Sequence, residues 1–168
     1  TDVITVGKGN LYDNTVGIFS KDGVVSLFCK LDNDTNNSNE LLLSSSISFD
    51  RGVSGGIRTN IFLDSSFVNI RGYRLNIDSS YASVAKREFS FRDFIIHNEG
   101  QSLTIDGTLS ENPEDSIHVY FDKFDISLAD AFLQKKIGIE GELTGNILAT
   151  GIYGTPNILM DVNGSGIS

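Results

Sequence analysis

The stretch that decides the fold is Ser116 to Gly164, SIHVYFDKFDISLADAFLQKKIGIEGELTGNILATGIYGTPNILMDVNG. Its first seven residues alternate apolar and polar side chains, which is typical of a β-strand with one buried face. The apolar residues that share that face are Ile117, Val119 and Phe121. The alternation returns after Gly141 and again after Pro156. The stretch therefore predicts long strands joined by glycine-rich turns.

A short amphipathic segment, Ser127 to Gln134, interrupts these strands. Ser127 is a residue type that caps helix N-termini, and Leu128 and Phe132 share a face at helical spacing. We expect one short helix here.

Outside this stretch, nearly all remaining segments also alternate apolar and polar residues, and turns rich in Gly, Asn, Asp and Ser separate them. The predicted strands are 10–20, 24–31, 40–50, 57–63, 67–78, 87–97 and 101–110. In the strand over 87–97, parity places Phe89, Phe91 and Ile95 on one face and Phe94 and Ile96 on the other. Strands of about ten residues span roughly 33 Å. The sequence predicts an all-β fold with one short helix, in which an antiparallel sheet is apolar on one side. Such a sheet can stack as a sandwich, close as a barrel or curl into a half-pipe. The apolar/polar alternation is the same in all three folds and does not distinguish them.

Composition narrows the possible functions. The 168 residues carry a formal charge of -9. This acidic excess disfavours nucleic-acid binding and adhesion to an anionic membrane through a basic patch. The single cysteine, Cys29, excludes an internal disulfide and a cysteine zinc site.

The Asp, Asn and His residues considered as candidate catalytic or metal-binding groups do not form a recognisable motif. Residues 32–36 begin like a calcium loop but lack the glycine and glutamate that an EF-hand requires. Three other carboxylates lie around the junction between the predicted strand and the predicted helix. Asp122 and Asp125 have opposite strand parity, and Asp130 falls in the first turn of the helix. His97 and His118 alternate with apolar neighbours, so we expect both on the polar face. We predict no enzyme, no cofactor and no metal site.

The order of glycines and prolines carries a resemblance to a known family. Gly141, Leu143 and Gly145 form G-x-L-x-G, and Gly151 and Pro156 form G-x-x-x-x-P. Upstream, the segment 105–113 ends in an S-x-N-P pattern. In this order the motifs resemble the TamB family of bacterial envelope proteins, part of the AsmA-like superfamily. The resemblance covers residues 89–168. It implies a β-taco, an elongated curled antiparallel sheet with a hydrophobic groove.

The same resemblance implies a function. Residues 1–168 would be one β domain, a fragment of a longer repetitive periplasmic protein of a Gram-negative bacterium, anchored in the inner membrane by a segment outside this sequence. Its expected roles are phospholipid transport between membranes and assembly of outer-membrane β-barrel proteins, with a partner of the BamA/TamA type. The expected residues lining the groove for acyl chains are Phe89, Phe91, Ile105, Leu109, Ile117, Val119, Phe121, Leu143 and Ile147.

Two alternatives stay open at this point. One is a β-sandwich that binds protein or carbohydrate, which the absence of tryptophan disfavours for sugars. The other is a hydrolase on a β scaffold, for which no G-x-S-x-G motif is found.

Overall fold

The structure is a computed structural model that describes residues 3–6, 9–32, 39–52, 55–70, 73–128 and 140–167. These residues form β-strands and one 3₁₀ turn. The chain divides into two compact units, Thr1–Lys86 and Arg87–Ser168, which we call the N-terminal and C-terminal units. The C-terminal unit nearly coincides with the segment 89–168 that carries the family resemblance.

The N-terminal unit contains the first eight strands. They are β1 (Val3–Val6), β2 (Gly9–Lys21), β3 (Val24–Asp32), β4 (Asn39–Gly52), β5 (Gly56–Leu63), β6 (Ser66–Ile70), β7 (Tyr73–Ile77) and β8 (Ser80–Ala85). Strands β1 to β5 pair antiparallel in chain order, and β8 pairs with β5. The long β4 has two partners along one edge, β6 beside its first residues and β5 beside its last. The Asp22-Gly23 turn joins β2 to β3 as the sequence predicts, with Asp22 at φ 52° and Gly23 at φ 78°.

The strand predicted over 67–78 is wrong as a single element. The chain reverses between Ile70 and Tyr73, so β6 and β7 form a hairpin in which Phe67 lies opposite Asn76. Phe67 therefore lies on the other side of the sheet from Leu75, which pairs with Val68. Apolar alternation continued by chance across the reversal, and periodicity alone does not detect such a break.

The C-terminal unit is a simple antiparallel meander. Its strands are β9 (Glu88–Asn98), β10 (Gln101–Leu109), β11 (Ser116–Asp125), β12 (Glu142–Thr150) and β13 (Asn157–Ser165). Each pairs with the next in chain order. The tight β9–β10 turn includes a hydrogen bond from the Gly100 amide to Asn98 Oδ1 at 3.1 Å.

The predicted helix is described only at its start. Residues Ile126–Leu128 form a single 3₁₀ turn, and the Ser127 amide donates to Asp125 Oδ1 at 2.9 Å. The amides that a Ser127 cap would bind belong to residues 129 and 130, so the predicted cap lies outside the described residues. Residues 129–134 of that prediction lie outside the described residues. Across the described part of the chain, no helix combines the length and the apolarity needed to cross a membrane.

Burial distinguishes one layer of sheet from two. Of the side chains that the structure describes, Leu75, 1 % exposed, is the one apolar side chain that is fully buried. A sandwich would bury the inner faces of both of its sheets. The all-β prediction is confirmed, and the strands of each unit belong to a single antiparallel sheet. The curled-sheet prediction fits this arrangement, whereas the sandwich alternative does not.

Candidate apolar groove of the C-terminal unit

The strand registers bring apolar side chains into rows across the C-terminal unit. Residues directly opposite each other in antiparallel strands project on the same face. One row runs from Phe94 through Ile105, Val119 and Ile147 to Met160, one residue from each strand. Five strands therefore contribute to one continuous apolar stripe.

Parallel rows extend this stripe in both directions. One neighbouring row is Ile96, Leu103, Phe121, Gly145 and Val162, and the other is Phe91, Gly107, Ile117, Ala149 and Ile158. The pairs Phe89–Leu109 and Phe124–Leu143 lie beyond them at opposite ends of the strands. We call this surface the apolar face. The register places all nine predicted lining residues on it.

A β-bulge in β9 accounts for two apolar-face residues that the sequence did not predict. Arg92 and Asp93 together lie opposite Asp106, so β9 has one residue more than β10 at this point. Asp93 adopts φ 55°, and its amide donates to Asp106 Oδ2 at 3.1 Å. The extra residue reverses the alternation. Phe94 therefore joins Phe91 on the apolar face, with ring centroids 5.5 Å apart.

The prediction that Phe94 and Ile96 lie on the face opposite Phe89 and Phe91 is thus wrong. Strict alternation holds only in a strand without a bulge. Ile95, which was predicted beside Phe91, instead pairs with Thr104 on the polar face.

Strand β11 has a second bulge of the same kind, in which a side chain of the neighbouring strand accepts the amide of the extra residue. Asp122 and Lys123 lie opposite Thr144 of β12, and Lys123 adopts φ 48°. The Lys123 amide donates to Thr144 Oγ1 at 3.0 Å. As a result Phe121 and Phe124 share the apolar face, with ring centroids 6.4 Å apart.

This second bulge also corrects an argument from the sequence. Parity predicted that Asp122 and Asp125 lie on different faces, and the bulge places both on the polar face. Asp125 pairs with Glu142, and Asp122 pairs with Ser102. The structure describes no group of three or more His, Cys, Asp or Glu side chains arranged to hold a metal ion, within the ranges given above.

The glycines of the family-like motif share a backbone property. Gly141, Gly145 and Gly151 have φ of +131°, +141° and +61°. A Cβ atom on Gly145 would lie 2.0 Å from the backbone oxygen of Asp161, and one on Gly151 would lie 2.5 Å from that of Thr155. The motif therefore marks positions where the chain of the β12–β13 hairpin leaves no room for a side chain.

Along the first part of β12 the apolar face is the more sheltered side of the sheet. Along β12 the apolar-face residues Leu143 and Ile147 are half-buried, whereas Glu142, Thr144 and Asn146 on the other face are exposed. On the outer strand β13, Ile158 and Met160 remain 55 % and 66 % exposed. The apolar face is thus partly shielded by its own neighbours and open towards β13.

One set of contacts links the start of β9 to the connection between β12 and β13. Arg87, at the start of β9, donates from Nη2 to the backbone oxygen of Tyr153, in the β12–β13 connection, at 3.2 Å. The Arg87 guanidinium also lies 5.4 Å from the Tyr153 ring centroid and 2.9 Å from Glu111 Oε1. The contact therefore links the start of the first strand of this unit to the connection that follows its fourth strand, an arrangement that a curled sheet accommodates.

The opposite, polar face carries the two histidines. His97 pairs with Ser102, and His118 pairs with Asp106, which places both on this side. His118 contacts Tyr120 Oη through Nδ1 at 3.2 Å and Ser116 Oγ through Nε2 at 3.4 Å. Both of its ring nitrogens thus have hydroxyl partners. Of the calcium-like segment 32–36, residues 33–36 lie outside the described residues.

Comparison with protein-family models, with curated proteins and with solved structures found no match for this chain. The resemblance to the TamB family therefore stays a prediction that depends on the motif residues.

Proposed function

We propose that the apolar face of the C-terminal unit holds the acyl chains of phospholipids. The observation that carries this proposal is the continuity of the face. Five strands contribute apolar residues to it in register, and the structure describes no second layer of sheet in this unit. A large exposed apolar surface on a protein marks a site of interaction with another apolar surface.

The energetics suit a carrier of lipid. Moving a methylene out of water is worth about 0.8 kcal/mol, so a dozen methylenes correspond to roughly 10 kcal/mol. That is an upper value, because one side of a bound chain stays open where β13 is exposed. Relative to a bilayer, whose interior is already apolar, most of this term cancels. The face can therefore receive and release a lipid chain between membranes with little net cost.

On this proposal the chain is a non-enzymatic module of a TamB/AsmA-like protein in the periplasm. Its partners would be phospholipid and an outer-membrane β-barrel protein of the BamA/TamA type, with an inner-membrane anchor outside this sequence. Assembly of outer-membrane β-barrel proteins is the second role the family implies. The order of Gly141, Leu143, Gly145, Gly151 and Pro156 supports this placement, as does the all-β fold.

Lipid retention by two matched variants tests the proposal. Ile147 and Leu148 are neighbours on β12, both half-buried, on the apolar and the polar face respectively. We expect Ile147→Asn to lower the amount of phospholipid bound per protein at least about threefold, because an amide in the central row interrupts the apolar stripe. Leu148→Asn should leave the amount of bound lipid close to that of the wild type.

The measurement is organic extraction of each purified protein after incubation with phospholipid vesicles, followed by lipid mass spectrometry. Circular dichroism shows whether both variants keep the β fold. Equal loss of lipid in the two variants, or no lipid on the wild-type protein, contradicts the proposal.

A further inference from the structure

The last strand of the C-terminal unit has an edge without a strand partner. Strand β13 (Asn157–Ser165) pairs with β12 and, among the described strands, with no other. The backbone N–H and C=O groups that point away from β12 are therefore available to a further strand. An edge of this kind is a template for pairing with another chain.

Strand β13 also lacks the features that usually protect an edge. Between 157 and 165 the sequence has no proline, lysine or arginine, and Asp161 is the one charged residue. All nine residues pair with β12 in an unbroken register, without a bulge. Short length, lysine, proline and bulges are the means by which natural edges avoid pairing. Strand β13 is therefore open to pairing along its whole length.

The outer edge of β2, in the N-terminal unit, is different. Strand β1 covers part of it, over residues 9–12. The register of β2 with β3 is broken between Tyr12 and Thr15, and the strand ends at Lys21. This edge thus has a partner strand, a bulge and a lysine, whereas β13 has none of the three among the described residues.

The side chains of β13 are apolar on both sides of the sheet. Ile158 and Met160 project on the apolar face, and Leu159 projects on the polar face opposite Leu148. All three are exposed, Leu159 by 57 % and Met160 by 66 %. A further strand would flank each of these side chains with a cross-strand neighbour. Exposure on both faces therefore favours a strand as the occupant of this edge.

We propose that β13 pairs antiparallel with β13 of a second copy of this chain, about a two-fold axis at Met160. In this register Met160 lies opposite Met160 of the second copy, and Ile158 lies opposite Val162. Opposite residues project on the same side, so the apolar faces of both copies lie on one side of the joined sheet. The outward N–H groups also meet outward C=O groups, because opposite residues have the same parity. The apolar row that ends at Met160 then continues into the second copy.

Charge and length select this register from its neighbours. An axis at Asp161 would use all nine residues of β13 but would place Asp161 opposite its own copy, and like charges directly opposite are destabilising. An axis at Leu159 avoids this but pairs only residues 157–161. An axis at Met160 pairs residues 157–163 and places Asp161 opposite Leu159. It is therefore the longest in-phase register in which Asp161 does not face itself.

The proposal does not depend on the proposed function, because it concerns the backbone edge of β13 and not a ligand of the apolar face. A two-fold pair uses the β13 edge of both copies and is closed. The assembly is therefore a dimer and does not grow into a filament.

Sedimentation velocity of the 168-residue chain tests the proposal, at about 10 to 300 µM protein and about 0.15 M salt, at which repulsion between the acidic chains is screened beyond about 8 Å. A single pair of strands is a small interface, so we expect a reversible monomer–dimer equilibrium with a Kd of roughly 10 to 100 µM. Met160→Lys should raise this Kd at least about tenfold, because two ammonium groups would face each other at the axis.

Ile18→Lys is the matched control. It replaces a side chain of β2 that is 68 % exposed, close to the 66 % of Met160, and it changes the net charge by the same amount. We expect its Kd to equal that of the wild type, since the edge of β2 does not take part.

Cysteine cross-linking tests the register. In a Cys29→Ala parent, which has no cysteine, Met160→Cys places two thiols directly opposite each other, with Cβ atoms about 5 Å apart. A small adjustment brings this distance into the range of a disulfide. Ile158→Cys and Val162→Cys lie on the same face but four residues out of register with their own copies, about 13 Å away. We expect a covalent dimer on mild oxidation from Met160→Cys and not from the other two.

Four results overturn the edge-paired dimer. They are a monomer at every concentration, oligomers that keep growing with concentration, an equal effect of Ile18→Lys and Met160→Lys, and cross-linking at position 158 or 162 as strong as at position 160. The lipid site is tested separately: a dimer that binds no phospholipid contradicts the proposed function alone, and a monomer that binds phospholipid contradicts the dimer alone.

Discussion

At the scale of single residues, backbone geometry at a few positions explains why the sequence motif has its form. Gly145 lies on the apolar face between Phe121 and Val162, at φ +141°. Its missing side chain lets β12 and β13 approach closely. The glycine spacing was visible in the sequence, but its meaning as a positive-φ, close-contact position was not. A motif of this kind reports the hairpin geometry directly, and function only through the family in which that geometry occurs.

A substitution at Gly145 tests this explanation. We expect Gly145→Ala to lower the free energy of unfolding by about 2 kcal/mol or more, because the new Cβ would meet the Asp161 oxygen in an unfavourable backbone region. Gly100→Ala is the control, since a Cβ there has no heavy atom within 4 Å, and it should change stability by less than about 0.5 kcal/mol. Urea denaturation followed by circular dichroism measures both. Similar midpoints for the two variants would contradict this role of Gly145.

At the scale of strands and hairpins, alternation predicted most of the C-terminal unit correctly and failed where a bulge intervenes. The strands over 87–97 and 101–110 were predicted within about one residue of β9 and β10. The faces were right up to Phe91 and wrong after it, because Arg92 and Asp93 insert an extra residue. Neither bulge carries a glycine at its positive-φ position, where Asp93 and Lys123 stand. The sequence therefore offered no turn signal, and a side chain on the neighbouring strand stabilises each bulge instead.

The β11 bulge gives a prediction at this scale. Thr144→Val keeps the shape of the side chain but removes the hydroxyl that accepts the Lys123 amide. We expect a loss of about 1 kcal/mol in the free energy of unfolding, the typical net value of one hydrogen bond. Thr104→Val, on the polar face of β10, is the matched control and should be close to neutral. If the two variants unfold at the same urea concentration, the hydroxyl does not support the bulge.

At the scale of the whole molecule, the sequence predicted an all-β chain but left open how its apolar side is covered. Sandwich, barrel and half-pipe all satisfy the same alternation, so that choice depends on which strands pair and on what remains exposed. The structure supplies both, through a five-stranded meander in the C-terminal unit and through apolar side chains that stay half-buried or exposed. The nine predicted lining residues share one face because alternation holds within each strand up to its bulge, and the bulges add Phe94, Ile96 and Phe124 to the same face.

The central claim is that hydrocarbon contacts one face of the C-terminal unit. A phospholipid with a photoactivatable diazirine in its acyl chain tests it most directly, with labelled residues identified by tandem mass spectrometry of the digested chain. We expect label on apolar-face residues such as Leu103, Ile105, Val119 and Ile147, and little on their neighbours Thr104, Tyr120 and Asn146. Label spread equally over both faces, or absent from the C-terminal unit, would contradict the account.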